Sequence, residues 1–267
     1  MDETQEIRKP RPRRNEEIRI YGLNACRALF ARRPHDLRKV YLLESRIPEL
    51  QPVLAWCVQK RLGYRVVGNA DLDKLTATQH HEGVCFETRR AEFSTLSNLL
   101  QRVPRAPKPA LLAWLDGVGN PHNLGAVWRS AANFGAHAII LPSDSTLAAS
   151  GAAYRVAEGG AEAVPLARIV PGEDAIGALR NAGCLIAATV PREGESLYSA
   201  RLPARVVFVL GAEGSGLRQG LVDRADLHLT IPGSGAVESL NVAASAAVLF
   251  GEYWRQRNTE RPGRPPR

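Results

Sequence analysis

Residues 206–241 read VVFVLGAEGSGLRQGLVDRADLHLTIPGSGAVESLN, two short apolar runs that each end in a glycine-rich turn. β-Branched and apolar residues fill Val206 to Leu210 and Leu227 to Ile231, and turn residues close both, so each is expected to be a buried strand. Each strand then delivers an exposed loop, GAEGSG and then PGSGAVESLN. Glycine leaves main-chain N–H and C=O groups open to a ligand, because no Cβ stands in the way. Taken singly, either loop also fits a tight turn that only reverses the chain. Together they carry Glu213, Ser239 and Asn241, side chains of the kind a site uses.

The same rhythm runs upstream. LLAWLD from Leu111 is a strand, GVGNPHN a turn, Leu124 to Phe134 a helix stopped by Gly135, and AIIL a second strand. Helices are expected at Ala152 to Gly159 and Ala175 to Ala182, a strand at Leu185 to Thr189 (LIAAT), and a long helix from Glu238 to Arg257. This alternation implies an open α/β sheet of parallel strands, which takes ligands at the C-terminal ends of its strands. In DGVGNPHNLGAVWR (116–129), Asn123 stands near a helix start and Arg129 six residues on. Taken alone, the segment reads as a helix cap and a solvated arginine. GAEGSGL lacks the G-x-G-x-x-G spacing of a dinucleotide loop, and Asp226 precedes its strand rather than ending it. The small residues from Val242 to Ala247 suit a tightly packed helix, which leaves Glu238, Ser239 and Asn241 at its start unexplained.

The front of the chain repeats the pattern on a smaller scale. Ile20 to Arg33 is a strand end and an amphipathic helix with Leu23, Cys26, Ala28, Leu29 and Phe30 on its apolar side. Lys39 to Leu43, Tyr64 to Val67 and Val84 to Glu87 are strands, and Ile47 to Leu62 and Asp71 to Ala77 are helices. Ala91 to Pro109, with RVPRAPKP inside it, is expected to be an interdomain linker, although a surface loop of one domain fits as well.

With 267 residues, 45% of them apolar, the chain can bury one large or two modest cores. No apolar run approaches a membrane span, and the polar start MDETQEIRKPRPRR is unlike a signal peptide, so a cytoplasmic address is expected. Cys26, Cys57, Cys85 and Cys184 are scattered, which suggests buried thiols rather than a metal site or disulfides. The net charge of +8 points to a polyanion. Much of the excess sits at the ends, with five basic and three acidic residues in 1–15 and five and one in 255–267. Both ends read as disordered basic tails, suited to a diffuse grip on nucleic acid or to solubility alone.

Three segments together resemble the SpoU/TrmH group of RNA ribose 2′-O-methyltransferases, within the SPOUT class. DGVGNPHNLGAVWRSAANFGA matches the first motif, with Asn123 and Arg129 on the family's asparagine and arginine. VLGAEGSGL matches the second through Glu213, and LTIPGSGAVESLNVAASAAVLF the third through Ser239 and Asn241. Asn120, where an aspartate is common, and Trp128 beside the arginine depart from the pattern. Residues 18–90, through HHEGVCFE, resemble more weakly the small L30e-like substrate-binding domain that many members carry in front.

The resemblance implies a layout: a basic arm at 1–17, an L30e-like domain at 18–90, a linker at 91–109, a SPOUT domain at 110–257 and a basic tail at 258–267. It further implies a parallel-sheet α/β domain with a deep trefoil knot, a homodimer, S-adenosylmethionine as cofactor, tRNA or rRNA as substrate, and no metal or membrane. By motif position, Thr189, Gly211, Ile231 and Leu240 would hold the cofactor, and Asn123, Arg129, Glu213, Ser239 and Asn241 would be catalytic. A guanidinium stays protonated in proteins, so Arg129 is expected to clamp an RNA phosphate and steady the developing alkoxide rather than act as base. A base-methylating relative and an inactive RNA-binding protein are the rivals. A nucleotide-dependent enzyme would need a phosphate loop such as G-x-x-x-x-G-K-[ST], which is missing.

Overall fold

Twelve strands and ten helices build two sheets, and the computed structural model describes them over residues 17–259 except 148. The basic arm and tail expected at 1–17 and 258–267 lie outside the described residues except at their inner ends.

The front sheet uses β1 (Glu17–Tyr21), β2 (Leu37–Leu42), β3 (Gly63–Val66) and β4 (Val84–Arg89) in the order β1-β4-β2-β3. β4 runs antiparallel to β1 and β2, whereas β3 pairs parallel with β2. Helices α1 (Leu23–Arg32), α2 (Ile47–Lys60) and α3 (Asn69–Thr76) connect these strands. α1 buries Cys26 and Leu29 of the expected apolar side, with Ala25 added, while Leu23, Ala28 and Phe30 stay half-buried at its margins.

The large sheet is parallel throughout. Its strands are β5 (Ser94–Thr95), β6 (Ala110–Asp116), β7 (Ala138–Leu141), β8 (Leu166–Arg168), β9 (Leu185–Thr189), β10 (Glu195–Ser196), β11 (Arg205–Gly211) and β12 (Leu227–Thr230). Their spatial order is β10-β12-β9-β11-β6-β7-β8-β5. Between them run α4 (Leu96–Leu100), α5 (Pro121–Asn133), α6 (Gly151–Ala157), α7 (Gly160–Ala163), α8 (Ala175–Asn181) and α9 (Gln219–Val222), and α10 (Val242–Thr259) closes the chain.

Alternate residues of the central strands face opposite ways, and both faces are covered. Leu111, Ala113, Leu115, Val206, Phe208 and Leu210 join a core with α5 and α10, while Leu112, Trp114, Val207 and Val209 meet α4 and α8 on the other face. The first of these cores continues into the front sheet through Ile20, Leu29, Val40 and Phe86.

Residues 91–109 carry structure of their own. β5 pairs parallel with β8, and Leu96, Leu99 and Val103 are buried in the second core. The prolines and basic residues suggested a tether, but apolar positions three and four apart bind the segment to the sheet. Arg205 fastens its far end, donating to the carbonyls of Pro104 (2.6 Å) and Lys108 (2.7 Å) and to that of Ala182 (2.8 Å).

Candidate functional site

β6 and β11 lie side by side in register, Asp116 against Gly211, and the chain departs from this pair in both directions across the sheet. A crevice at such a switch point, outside the carboxyl ends of the strands, is where open α/β sheets take ligands. The loops after β6, β9, β11 and β12 all open there.

α5 starts at Pro121, three residues before the expected Leu124. Its N-cap is Asn120, whose Oδ1 accepts from the His122 amide at 2.9 Å, and proline sits at the first helical position, where no N–H is needed. Asn123 is therefore not the cap, and its side chain is free to donate from Nδ2 to Glu213 Oε1 at 2.9 Å. α10 starts at Val242 rather than Glu238, and its first turn is satisfied by Asn241, whose Oδ1 accepts from the Ala243 amide at 2.9 Å. Nδ2 of the same residue donates to Glu213 Oε1 at 2.5 Å and to Asn123 Oδ1 at 3.2 Å. One carboxylate oxygen thus takes N–H groups from the first turns of two long helices, whose dipoles both favour negative charge there.

Glu213 reaches this point because the loop after β11 folds back on itself. Ala212 and Gly216 form a bridge, with the Gly216 amide donating to the Ala212 carbonyl at 3.0 Å, and Gly214 and Gly216 have φ of +85° and +67°. A Cβ on Gly211 would lie 2.4 Å from the Gly216 carbonyl carbon, so the two backbones meet only because position 211 is glycine.

Beside this turn lies a cavity with Thr189, Gly211, Ile231 and Leu240 in its wall, together with Glu213 and Ser239. Thr189 points its hydroxyl to the Val209 carbonyl at 2.9 Å, so the residue spends its polar side chain on the neighbouring strand. Glu238 and Ser245 complete the polar lining.

Arg129 stands apart. It is exposed on α5 and makes no hydrogen bond or ion pair with the described residues. Six residues of helix separate it from Asn123 by about 9 Å along the axis and about 120° around it, so one chain does not bring its guanidinium onto the cluster. Trp128 is buried beside it, its ring tilted by 37° against Tyr154 at 5.8 Å and its indole N–H donating to the Val164 carbonyl at 3.0 Å. This unusual neighbour is a packing residue.

Asp116 is a structural acid of the site. It ends β6, is 1% exposed, accepts from the Arg218 amide at 3.0 Å and pairs with the Arg218 guanidinium at 2.5 Å. Hydrogen bonding to Asp116 raises the Arg218 pKa. The pair pins the far end of the Glu213 loop to the start of the Asn123 turn. Its signal was an acid closing the otherwise apolar LLAWLD, because a buried carboxylate requires a partner. Asp226, dismissed as a ribose ligand, accepts instead from Arg180 (2.7 Å) and the Ile186 amide (2.8 Å). No helix among the described residues is long and apolar enough to cross a membrane.

Residues 110–251 match the SpoU rRNA Methylase family model, and residues 19–94 match the model of the RNA 2′-O ribose methyltransferase substrate-binding domain. The uncharacterized tRNA/rRNA methyltransferase YfiF of Escherichia coli O157:H7 is 39% identical over 92% of this chain and 70% of its own length. The 23S rRNA (guanosine-2′-O-)-methyltransferase RlmB of Nitrosomonas europaea is 33% identical over 91% of this chain and 93% of its own. Among solved structures, the AdoMet-bound rRNA methyltransferase of Sinorhizobium meliloti superposes with a TM-score of 0.75 at 25% identity, covering 90% of this chain and 88% of that one. With the family model covering more than half of its length and RlmB matching nearly end to end, this chain belongs to the SpoU methylase family.

Proposed function

We propose that the protein is an S-adenosylmethionine-dependent methyltransferase acting on a ribose 2′-hydroxyl of tRNA or rRNA. The observation that carries this reading is the Glu213 carboxylate held by Asn123 and Asn241 at the rim of the cavity that Thr189, Gly211, Ile231 and Leu240 line.

The cavity fits the cofactor. It opens to solvent, and its wall comes from the ends of three strands and includes Gly211, Gly214 and Gly216, whose peptide groups can read a nucleoside by hydrogen bonds. Glu213 and Glu238 set negative charge beside a ligand whose reactive centre is a cation. Thr189, Gly211, Ile231 and Leu240 would hold it, and when bound it supplies an already activated methyl group. What remains for the protein is alignment of the ribose and care of its proton. Asn123, Ser239 and Asn241 orient the sugar around the fixed carboxylate of Glu213, and Arg129 holds an adjacent phosphate and steadies the alkoxide as it forms.

The separation of Arg129 from the cluster supports a homodimer in which the second copy offers its arginine to the site. The return of α10 against α5 and β11, after β12 has been laid between β9 and β10, supports a knotted C-terminal segment. Four free, buried cysteines favour a reducing, cytoplasmic setting.

The test is methyl transfer to tRNA and rRNA by wild type and the Arg129→Ala and Arg129→Lys variants, with digestion to nucleosides to separate ribose from base products. Loss of about 10²-fold or more in both variants, with folding and donor binding intact, is expected from removal of one transition-state donor. Near-normal turnover in both variants, or a methylated base, would overturn the assignment.

A further inference from the structure

The hairpin of α6 and α7 lies between the front sheet and α5, and it touches both through backbone. On the α5 side, a Cβ on Gly125 would lie 2.5 Å from the Ala153 carbonyl, and one on Gly160 would lie 2.7 Å from the Trp128 carbonyl and 3.2 Å from Arg129 Cα. On the front side, a Cβ on Gly151 would lie 2.4 Å from the Arg19 carbonyl, and one on Gly22 2.3 Å from Arg155 Cδ. At Gly125, Gly151 and Gly160 backbone meets backbone too closely to admit even a methyl group, so the surfaces interlock there.

Charge closes the same joint at two places. Arg33 of the segment after α1 grips Glu162 of α7 through Nε (2.9 and 3.0 Å) and Nη2 (2.8 Å), with side-chain exposures of only 15% and 8%. Arg155 of α6 pairs with Glu82 and with Glu158, each at 2.5 Å, and Glu158 accepts from Asn24 at 2.7 Å. Glu82 in turn accepts from the Leu23 amide at 2.8 Å and so fixes the start of α1. Exposed ion pairs are weak, but bidentate, half-buried arginine–carboxylate pairs in a network hold a defined geometry.

We propose that the α6–α7 hairpin is a rigid coupler, with Arg33, Glu162, Arg155 and Glu82 as positioning residues that fix the front domain's orientation on the Arg129 helix and so select which nucleotide of a bound RNA is methylated. This rests on the function proposed above. A front domain on a free tether would raise only the local concentration of RNA. A domain docked in one pose sets a distance between the RNA feature it holds and the sugar that is methylated. Because an error of about 1 Å in alignment costs on the order of 10²-fold in rate, the pose is worth fixing.

The experiment uses the full chain and the charge-reversal variants Arg33→Glu, Glu162→Arg and the two combined. All four native cysteines are buried, so spin labels on Gln59→Cys and Arg201→Cys, both exposed, report the distance between the two parts. Labelled protein is diluted with unlabelled chain so that one label pair is read per assembly. The expected result is one narrow distance in wild type, a broadened one in each single variant, and a narrow one again in the double variant. With RNA, each single variant should lose about tenfold or more in kcat and spread methylation over neighbouring nucleotides, while donor affinity stays within about twofold and the double variant recovers. A broad distance in wild type, or single variants that broaden yet methylate at the wild-type position and rate, would overturn the proposal. A wild type with one narrow distance but no transfer to RNA would remove the function and keep the docking, so the two readings fail separately.

Discussion

Asn241 serves two structures through two atoms, and a substitution can part them. Its Oδ1 caps α10 through the Ala243 amide, and its Nδ2 binds Glu213 and Asn123. Asn241→Asp keeps the cap, because aspartate is as good an N-cap and its charge complements the helix dipole by about 0.3–1 kcal/mol. At the other atom it replaces a donor 2.5 Å from Glu213 Oε1 with a second carboxylate oxygen. At about 3 Å, with an effective dielectric of roughly 60 for an exposed rim, the repulsion is about 2 kcal/mol. Loss of the amide's hydrogen bond to a charged acceptor adds about 1 kcal/mol after allowance for exposure. The sum of about 3 kcal/mol corresponds to a loss on the order of 10²-fold in kcat/KM at neutral pH.

Asn241→Ser retains a cap without the new charge and should lose only about tenfold. Melting temperatures of both variants should stay within a few degrees of wild type, since α10 keeps its cap. The deficit of Asn241→Asp should also shrink as pH falls toward the carboxylate range, because one proton shared by two facing carboxyls removes the repulsion. Thermal melts, donor titration calorimetry and methyl transfer between about pH 5 and 8 check all of this. If Asn241→Asp turned over within twofold of wild type at neutral pH, the three-residue cluster would have no part in the reaction.

Other substitutions probe the remaining parts. Gly211→Ala places a Cβ 2.4 Å from the Gly216 carbonyl carbon, so the Glu213 turn must open; donor affinity should fall tenfold or more with about 1–3 kcal/mol of stability, read by calorimetry and melting. Arg205→Ala frees carbonyls of Pro104, Lys108 and Ala182 at once and should cost about 3 kcal/mol and admit protease between residues 101 and 109, seen by limited digestion. Burial would raise the pKa of Asp226, but hydrogen bonds from Arg180 and the Ile186 amide outweigh it and lower it. The stabilisation is therefore present above the usual carboxylate pKa near 4 and is lost as pH falls through the depressed value. Asp226→Asn should accordingly destabilise at pH 7, with a deficit that shrinks as pH falls below the usual carboxylate range, as melts across that range would show.

How much of this was legible follows from how local each feature is. The strands of 206–210 and 227–231 and their glycine turns could be read directly, because β-branched residues and glycines state their preferences without help. Only the first is buried as expected: β12 buries Leu229 alone, because it lies beside the two-residue edge strand β10. The start of α5 is also written locally: Asn120 followed by Pro121 is a cap and first-position pair, and it outranks the apolar spacing that points to Leu124. The two- and three-residue strands β5, β8 and β10 left no periodic signal, since their neighbours in the sheet define them. Residues 91–109 misled for a related reason, because their anchor is a guanidinium about a hundred positions away.

The cluster itself is the furthest from local reading. Asn123 and Glu213 stand 90 residues apart, and composition or period alone gives no reason to join them; only the family resemblance named them together. The structure supplies the physical reason. Parallel pairing in register places Asp116 of β6 beside Gly211 of β11, so the turn that leads to Asn123 and the turn that carries Glu213 leave the sheet at one point. Asp116 then binds Arg218 and holds the second turn against the first. Breaking this pair of a buried acid and a half-exposed arginine should move Glu213 away from Asn123 without touching either residue, which makes strand register and a buried acid the joint cause of the site's geometry.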